Sequence, residues 1–194
     1  GDLTGEIALD FEGFDREADR YLAKRDAFSS FNFAPYVWTK QERDGETQKV
    51  LRFADSDGTA VLGEDPPGAV NPLYDTLVVN AFRGIAAHLA ERGWLDRAIY
   101  YVIDEPSDGD TPLIKHICEL IREADPRIRT ALTYDPANRP RLAELVDEEG
   151  ESLVSVWVPY CSRYREAVAD EQRAKGAEYW LYDVKEHSLI SDTG

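Results

Sequence analysis

Residues 98–106 read AIYYVIDEP. The run 98–103 is almost continuously apolar, as expected of a strand buried on both faces, and such strands belong to parallel sheets. Asp104 and Glu105 follow where that strand ends. Pro106 has no amide hydrogen, so it closes the ladder, and it biases Glu105 toward an extended backbone. In parallel α/β architectures the carboxyl ends of the strands are where substrates bind. Neighbouring strand residues point to opposite faces. One carboxylate is therefore expected to face a mouth and the other to lean over its edge. A less solvated Glu with a charged neighbour has its pKa raised and can act as a general acid.

The pattern on either side repeats this unit. Upstream, 75–93 reads as a helix whose Val78, Phe82, Ile85, Ala86 and Leu89 share one face, with Gly93 at its C-terminal cap. Downstream, Thr111-Pro112 reads as an N-cap and a first-turn proline. The following helix presents Leu113, Ile114, Ile117, Cys118 and Ile121 and stops before Pro126. Then come a strand at 129–134, a helix near 140–147, a strand at 153–158, a helix at 162–175 ending at Gly176, and a strand at 178–184. Toward the N-terminus, 6–11 (EIALDF) reads as a strand and 28–37 as another, ending around Pro35. Between them Asp15 caps a helix over 16–25. Residues 47–62 read as a β-hairpin turning at Asp57-Gly58, and 63–72 as loop.

Six β-runs, most separated by helices, predict a parallel sheet with helices outside. A doubly wound open sheet and a (β/α)8 barrel both fit the alternation. Neither a Gly-x-Gly-x-x-Gly turn nor a phosphate loop is present, which counts against nucleotide binding. A barrel takes eight strands and about 250 residues. The expectation is therefore α/β, a TIM-like barrel incomplete in this chain, with about six βα units and a hairpin insertion, forming one partial domain over 1–194.

The chain has 194 residues, 22 Lys+Arg and 38 Asp+Glu, for a net charge of −16. That balance argues against nucleic acid or an anionic membrane surface as partner, since both need clustered cations. No apolar run approaches the ~20 residues of a membrane span. A hydrophobic fraction of 43% with 11% aromatics suffices for a core, so the acidity reads as solvated surface. Two Cys make no disulfide framework. There is no Met, even at position 1, which implies a piece of a longer gene product. A soluble protein is expected; a secreted or periplasmic one is compatible with the sequence, but composition alone assigns no compartment.

Polar and aromatic groups fall at the same edge of neighbouring strands: Asn32 and Tyr36, Tyr134 and Asp135, Trp157 and Tyr160, then Trp180, Tyr182 and Asp183. Aromatic faces suit the C–H faces of a sugar ring, and tyrosine hydroxyls bond its oxygens. Asn32, Tyr134, Trp157, Trp180 and Tyr182 are the expected substrate-binding residues. His88 and His116 sit on helices and His187 in the terminal segment. No HExxH or Cys/His cluster supports zinc. An oxygen-ligand cation site from Asp10, Asp104, Glu105, Asp135 and Asp183 is the lesser alternative, and the expectation is no metal and no cofactor. Cys118 reads as core, and Cys161 opens a helix, where a thiol pKa can fall.

The segments LDFEGFD (9–15), HLAERGWLDRAIYYVIDEP (88–106), LTYDP (132–136), VWVPY (156–160) and AEYWLYDV (177–184) occur in this order. Together they resemble the catalytic domain of glycoside hydrolase family 123 and the overlapping domain of unknown function 4091. The resemblance implies a (β/α)8-type barrel, often preceded by a β-sandwich, so the remaining strands and such a sandwich from the same gene product are the implied partners. It implies a retaining β-N-acetylhexosaminidase, N-acetylgalactosamine-like in preference, acting on a terminal glycoside through substrate assistance. Glu105 would be the general acid/base and Asp104 would orient the 2-acetamido group, whose oxygen attacks the anomeric carbon. The nucleophile then belongs to the substrate, so two adjacent carboxylates need not flank the bond at the ~5 Å of ordinary retaining enzymes. Trp180-Leu181-Tyr182-Asp183 departs from the family pattern at the last strand. The alternative reading is a non-catalytic carbohydrate-binding or scaffold barrel.

Overall fold

A computed structural model of the chain describes residues 5–22, 29–33, 37–43, 46–54, 60–62 and 72–183, with the backbone alone over 38–62. The elements in order are α1 (Glu12–Leu22), β1 (Phe31–Phe33), β2 (Trp38–Arg43), β3 (Glu46–Ala54), β4 (Ala60–Leu62), α2 (Pro72–Glu91), β5 (Ala98–Ile103), α3 (Thr111–Ala124), β6 (Arg129–Thr133), β7 (Val156–Val158), α4 (Glu166–Ala174) and β8 (Glu178–Tyr179). Five strands form one parallel sheet in the order β1-β5-β6-β7-β8. That order follows the chain without reversal, so among the described residues the sheet has no switch point of the doubly wound kind.

β5 lies inside the sheet because its sequence has no charged residue with which to face water on either side. Ala98, Ile99, Tyr100, Val102 and Ile103 are all buried. Tyr100, Val102, Leu132 and Trp157 join Phe33 and the helices in the main core. Ile99, Ala131 and Val156 form a second, small cluster with Tyr101 and Val158. The alternation thus sends Tyr100 and Val102 toward the helices, and Ile99 and Tyr101 to the other face. A register shift between Tyr101 and Ile103 returns Ile103 to the main core. α2 buries Val78, Phe82, Ile85, Ala86 and Leu89 as its periodicity requires. It ends where Gly93 takes φ +68 and Trp94 N–H reaches back to the Leu89 carbonyl at 2.8 Å, a left-handed cap that glycine makes without strain.

Several expectations need correction. Residues 6–11 are not a strand. They lie across the face of α2 formed by Asn80, Gly84 and His88. Asn80 Nδ2 donates to the Gly5 carbonyl at 2.8 Å, and the Phe11 ring stacks on His88 at 3.8 Å. Leu9 comes so close to Gly84 that a Cβ there would sit 2.6 Å from its Cδ1. Apolar residues in this segment find a helix surface rather than a ladder. α1 consequently starts earlier, with Asp10 Oδ1 accepting from the Glu12 amide at 2.9 Å, while Asp15 pairs with His88 at 2.7 Å instead of capping. At α3 the cap residue is Asp110, and Thr111 is already helical. The segment 140–144 is a 3-10 turn rather than a full helix, and 161–163 is another before α4.

The predicted hairpin is one part of a three-stranded antiparallel sheet, β2-β3-β4, whose first strand is not signalled by its polar sequence WTKQER. Its turn at Asp57-Gly58, the loop over 63–71, Tyr36 and His187 lie outside the described residues. Among the described residues no helix is long and apolar enough to cross a membrane.

Candidate active site

The acidic pair lies just past β5. Both side chains are exposed, but their surroundings differ. Asp104 Oδ1 accepts from the Tyr101 hydroxyl at 2.7 Å and lies 3.1 Å from Thr133 Oγ1. Tyr101 and Thr133 are partners by register: Tyr101 pairs with Ala131, so Thr133 stands one step up the same face. Their oxygens are 2.8 Å apart. Burial and the Asp104 carboxylate hold the Tyr101 hydroxyl above the usual tyrosine range, so it remains a donor. Asp104 Oδ2 has no hydrogen bond among the described residues.

Glu105 departs from expectation in its backbone. Its φ is +42, so it is not extended, whatever Pro106 prefers. A non-glycine residue there is strained. What holds it is Thr133 Oγ1, which accepts the Glu105 amide at 2.5 Å. The turn aims the Glu105 side chain into a cleft of about 450 Å³ that it lines with Tyr134, Arg139, Tyr160, Arg163 and Tyr182 among others. Asp104 is not among the lining residues. The pair's division of surroundings therefore comes from a left-handed turn, not from strand alternation. Glu105 is also open to solvent rather than enclosed.

Tyr182 donates to Glu105 Oε1 at 2.7 Å. Partial burial, then the hydrogen bond and charge of Glu105, push the Tyr182 hydroxyl well above its ordinary value. Tyr134 also has a positive φ, +69, as its amide turns to the Val158 carbonyl at 3.2 Å. Burial and Glu105 raise its hydroxyl too, and it sits on the cleft wall. Tyr160 bridges to Tyr182, their rings 5.3 Å apart.

Three expected binding residues lie elsewhere. Trp157 is wholly buried in the main core, on the helix-packed face, because the alternation of β7 turns it away from the rim. Asn32 is exposed but does not line the cleft; its Oδ1 accepts the Tyr101 amide at 3.0 Å and secures the strand. Trp180 is at the surface, its indole N–H on Glu178 at 3.2 Å and Arg129 over its ring at 5.6 Å, also outside the cleft lining. Asp135 is fully buried and caps its own turn, accepting from the Ala137 amide at 3.0 Å and from Asn138 Nδ2 at 2.5 Å. Among the described residues, Asp10, Asp135 and Asp183 do not gather with the pair into a group able to hold a cation. The Cys161 thiol is raised rather than lowered, by burial first and then by Asp183 beside it. Tyr101 and Thr133 are site residues that the strand-end pattern does not single out, although period-two counting back from the strand ends reaches them. Arg139 and Arg163 stand on turns, where no periodicity points to them.

The class defined by these features is an α/β protein with a parallel five-stranded sheet and a polar cleft at the carboxyl end of its central strands. No protein-family model matches the chain, and no curated protein matches it. Among solved structures it is similar to a family 123 glycoside hydrolase from Clostridium perfringens, studied for glycolipid glycan hydrolysis, at 14% identity and a TM-score of 0.45. The match covers 73% of this chain and 24% of that one, so the chain spans about a quarter of that protein's length. A likeness at that score carries no weight in assigning a function.

Proposed function

We propose that this chain bears the catalytic strand ends of a glycoside hydrolase that cleaves a terminal β-linked N-acetylhexosamine with retention. The observation that carries this reading is the Glu105 carboxyl, turned into a cleft of sugar size and held at 2.7 Å by Tyr182. In the proposed reaction Glu105 gives its proton to the glycosidic oxygen. The substrate's acetamido oxygen attacks the anomeric carbon as the bond to the leaving group breaks, and an oxazoline forms in its protonated state, an oxazolinium ion that keeps its N–H. Glu105 then takes a proton from water, whose oxygen opens the oxazoline from the face the leaving group vacated. Asp104 Oδ2 accepts the acetamido N–H, while Tyr101 and Thr133 engage Oδ1 and keep the carboxylate in place. Tyr134 and Tyr182 supply rings and hydroxyls to the sugar. The chain-ordered parallel sheet supports its being an arc of a (β/α)8-type barrel.

The test is hydrolysis of an N-acetylhexosaminyl disaccharide by the full chain and by Glu105→Gln. A loss of roughly 10²–10⁴ in rate is expected, as for removal of a general acid. A nitrophenyl glycoside, whose leaving group hardly needs the proton, should lose less in its first step. Equal rates on the disaccharide would exclude Glu105 as the acid. The exposure of Glu105 favours a second reading, a carbohydrate-binding surface without turnover. Its signature is glycan binding unaffected by Glu105→Gln with no hydrolysis by either protein.

A further inference from the structure

On a chain of net charge −16, the cleft beside Glu105 is lined by two arginines that pair with no carboxylate among the described residues. Most other described arginines find acids: Arg92 with Asp19, Arg122 with Asp147, Arg127 with Asp125, Arg129 with Glu178, Arg141 with Glu144, and Arg173 with Asp170, whereas Arg83 and Arg165, which do not line the cleft, donate to Asn80 and to the Tyr164 carbonyl instead. Among the described residues Arg139 and Arg163 form no ion pair, and Glu105 is not within ion-pair distance of either. Given the excess of acids, an unmatched cation in a concave site is charge left open for a ligand.

Arg139 is nevertheless fixed. Its Nε donates to the Pro106 carbonyl at 3.2 Å and its Nη1 to the Asn138 carbonyl at 3.3 Å. Its guanidinium carbon lies 5.1 Å from the centre of the Tyr134 ring. The anchor on Pro106 ties the guanidinium to the residue directly after Glu105. Nη2 makes no hydrogen bond among the described residues. A planar donor held in this way loses little freedom when an anion docks, and its geometry suits a carboxylate or a sulfate. Arg163 reaches the same cleft from the turn after β7, with Ser162 and Asn138 as neutral donors nearby.

We infer that the cleft takes an anionic saccharide, with a sulfate ester on the amino sugar or a uronic acid joined to it, and that Arg139 and Arg163 receive that anion. This deepens the glycosidase reading and rests on it for the identity of the sugar. Neutral sugars lacking the anion fill the same hollow but leave both guanidinium groups unused.

The experiment is calorimetric titration of the full chain with three probes: N-acetylgalactosamine, the same sugar carrying a sulfate ester, and a disaccharide of N-acetylgalactosamine and glucuronic acid. At low salt one or both anionic probes should bind about tenfold more tightly than the neutral one, the scale of two partly screened charge contacts. The sulfate and uronate arms decide which anion is meant. In Arg139→Gln and in Arg163→Gln the ratio of anionic to neutral affinity should fall toward one. Arg163→Lys, which keeps a point charge, should retain part of it. Near 1 M salt, where the screening length is about 3 Å, the preference should vanish in the parent protein. Arg163 is exposed, so its variants keep the inference testable even if loss of the Arg139 anchor disturbs the fold. An anionic preference below twofold, no binding of any probe, or a preference that survives both substitutions together overturns the inference. If Glu105→Gln abolishes hydrolysis while no anionic preference appears, the glycosidase reading stands and this one falls. If anionic binding depends on the arginines and the N-acetylhexosaminyl disaccharide is not hydrolysed, the reverse holds.

Discussion

The two faces of the parallel sheet are built from the same strands yet do opposite things. Toward the helices stand Phe33, Tyr100, Val102, Leu132 and Trp157, closed from water and packed into one core. On the other face Ile99, Ala131 and Val156 make only a small apolar patch, and above it Tyr101, Thr133 and Tyr182 carry hydroxyls toward the acidic pair. Successive residues such as Tyr100 and Tyr101, identical in chemistry, are divided by the pleat into a packing group and a carboxylate donor. Stability is concentrated on one face and candidate chemistry on the other, so substitutions should separate cleanly by parity.

The largest break should come on the helix face. Trp157→Ala is expected to cost about 3–5 kcal/mol, because it empties a fully buried volume that its neighbours cannot refill. Urea denaturation measures this. A loss under 1 kcal/mol would contradict the burial assigned here. On the site face, Thr133→Val should cost about 1–2 kcal/mol, since the Glu105 amide loses its acceptor and Asp104 a neighbouring hydroxyl. That substitution keeps the shape of the side chain, so the proposed hydrolysis should fall with stability through the lost geometry of the pair.

Glu105→Gly, set against Glu105→Ala, sharpens the contrast by separating backbone strain from the chemistry of the carboxyl. Glycine takes a positive φ without strain. Compared with Glu105→Ala, which loses the same hydrogen bond from Tyr182, the variant should be more stable to urea by about 1 kcal/mol at most, while the proposed hydrolysis is lost in both. Stability equal to or below that of Glu105→Ala would mean that the left-handed turn stores no strain.

The alkaline limb probes both faces together. Tyr74, buried and donating to the Val37 carbonyl at 2.8 Å, Tyr101 and Tyr179 are all held above the usual tyrosine range, chiefly by burial. A folded-state pKa raised above the unfolded value of about 10 contributes stability that is fully present below pH 10 and lost as pH rises beyond it. The urea midpoint should therefore fall steadily above pH 10, and a flat profile there would count against these environments. The smallest effect is chemical. Burial pushes the Cys118 thiol up to about 12, so it should resist thiol reagents in the native protein while the less buried Cys161 reacts first.

By itself the sequence determined the alternation of parallel strands and helices, the apolar face of α2, and the acid pair at the end of β5. Each of these follows from local periodicity, from a run of buried residues, or from a proline that ends a ladder. It also determined Tyr134 and Tyr182 as aromatic groups near that edge. Tertiary structure alone decided the rest. The segment 6–11 alternates like a strand but lies on Asn80, Gly84 and His88 of α2, because a helix surface was free to receive it. Trp157 looks like a rim aromatic and is a core one, since parity depends on the register with β6. The left-handed turn at Glu105 is dictated by Thr133, 28 residues away, whose hydroxyl outweighs the local preference imposed by Pro106. Periodicity records which side of its own element a residue occupies. What that side meets depends on chain segments distant in sequence.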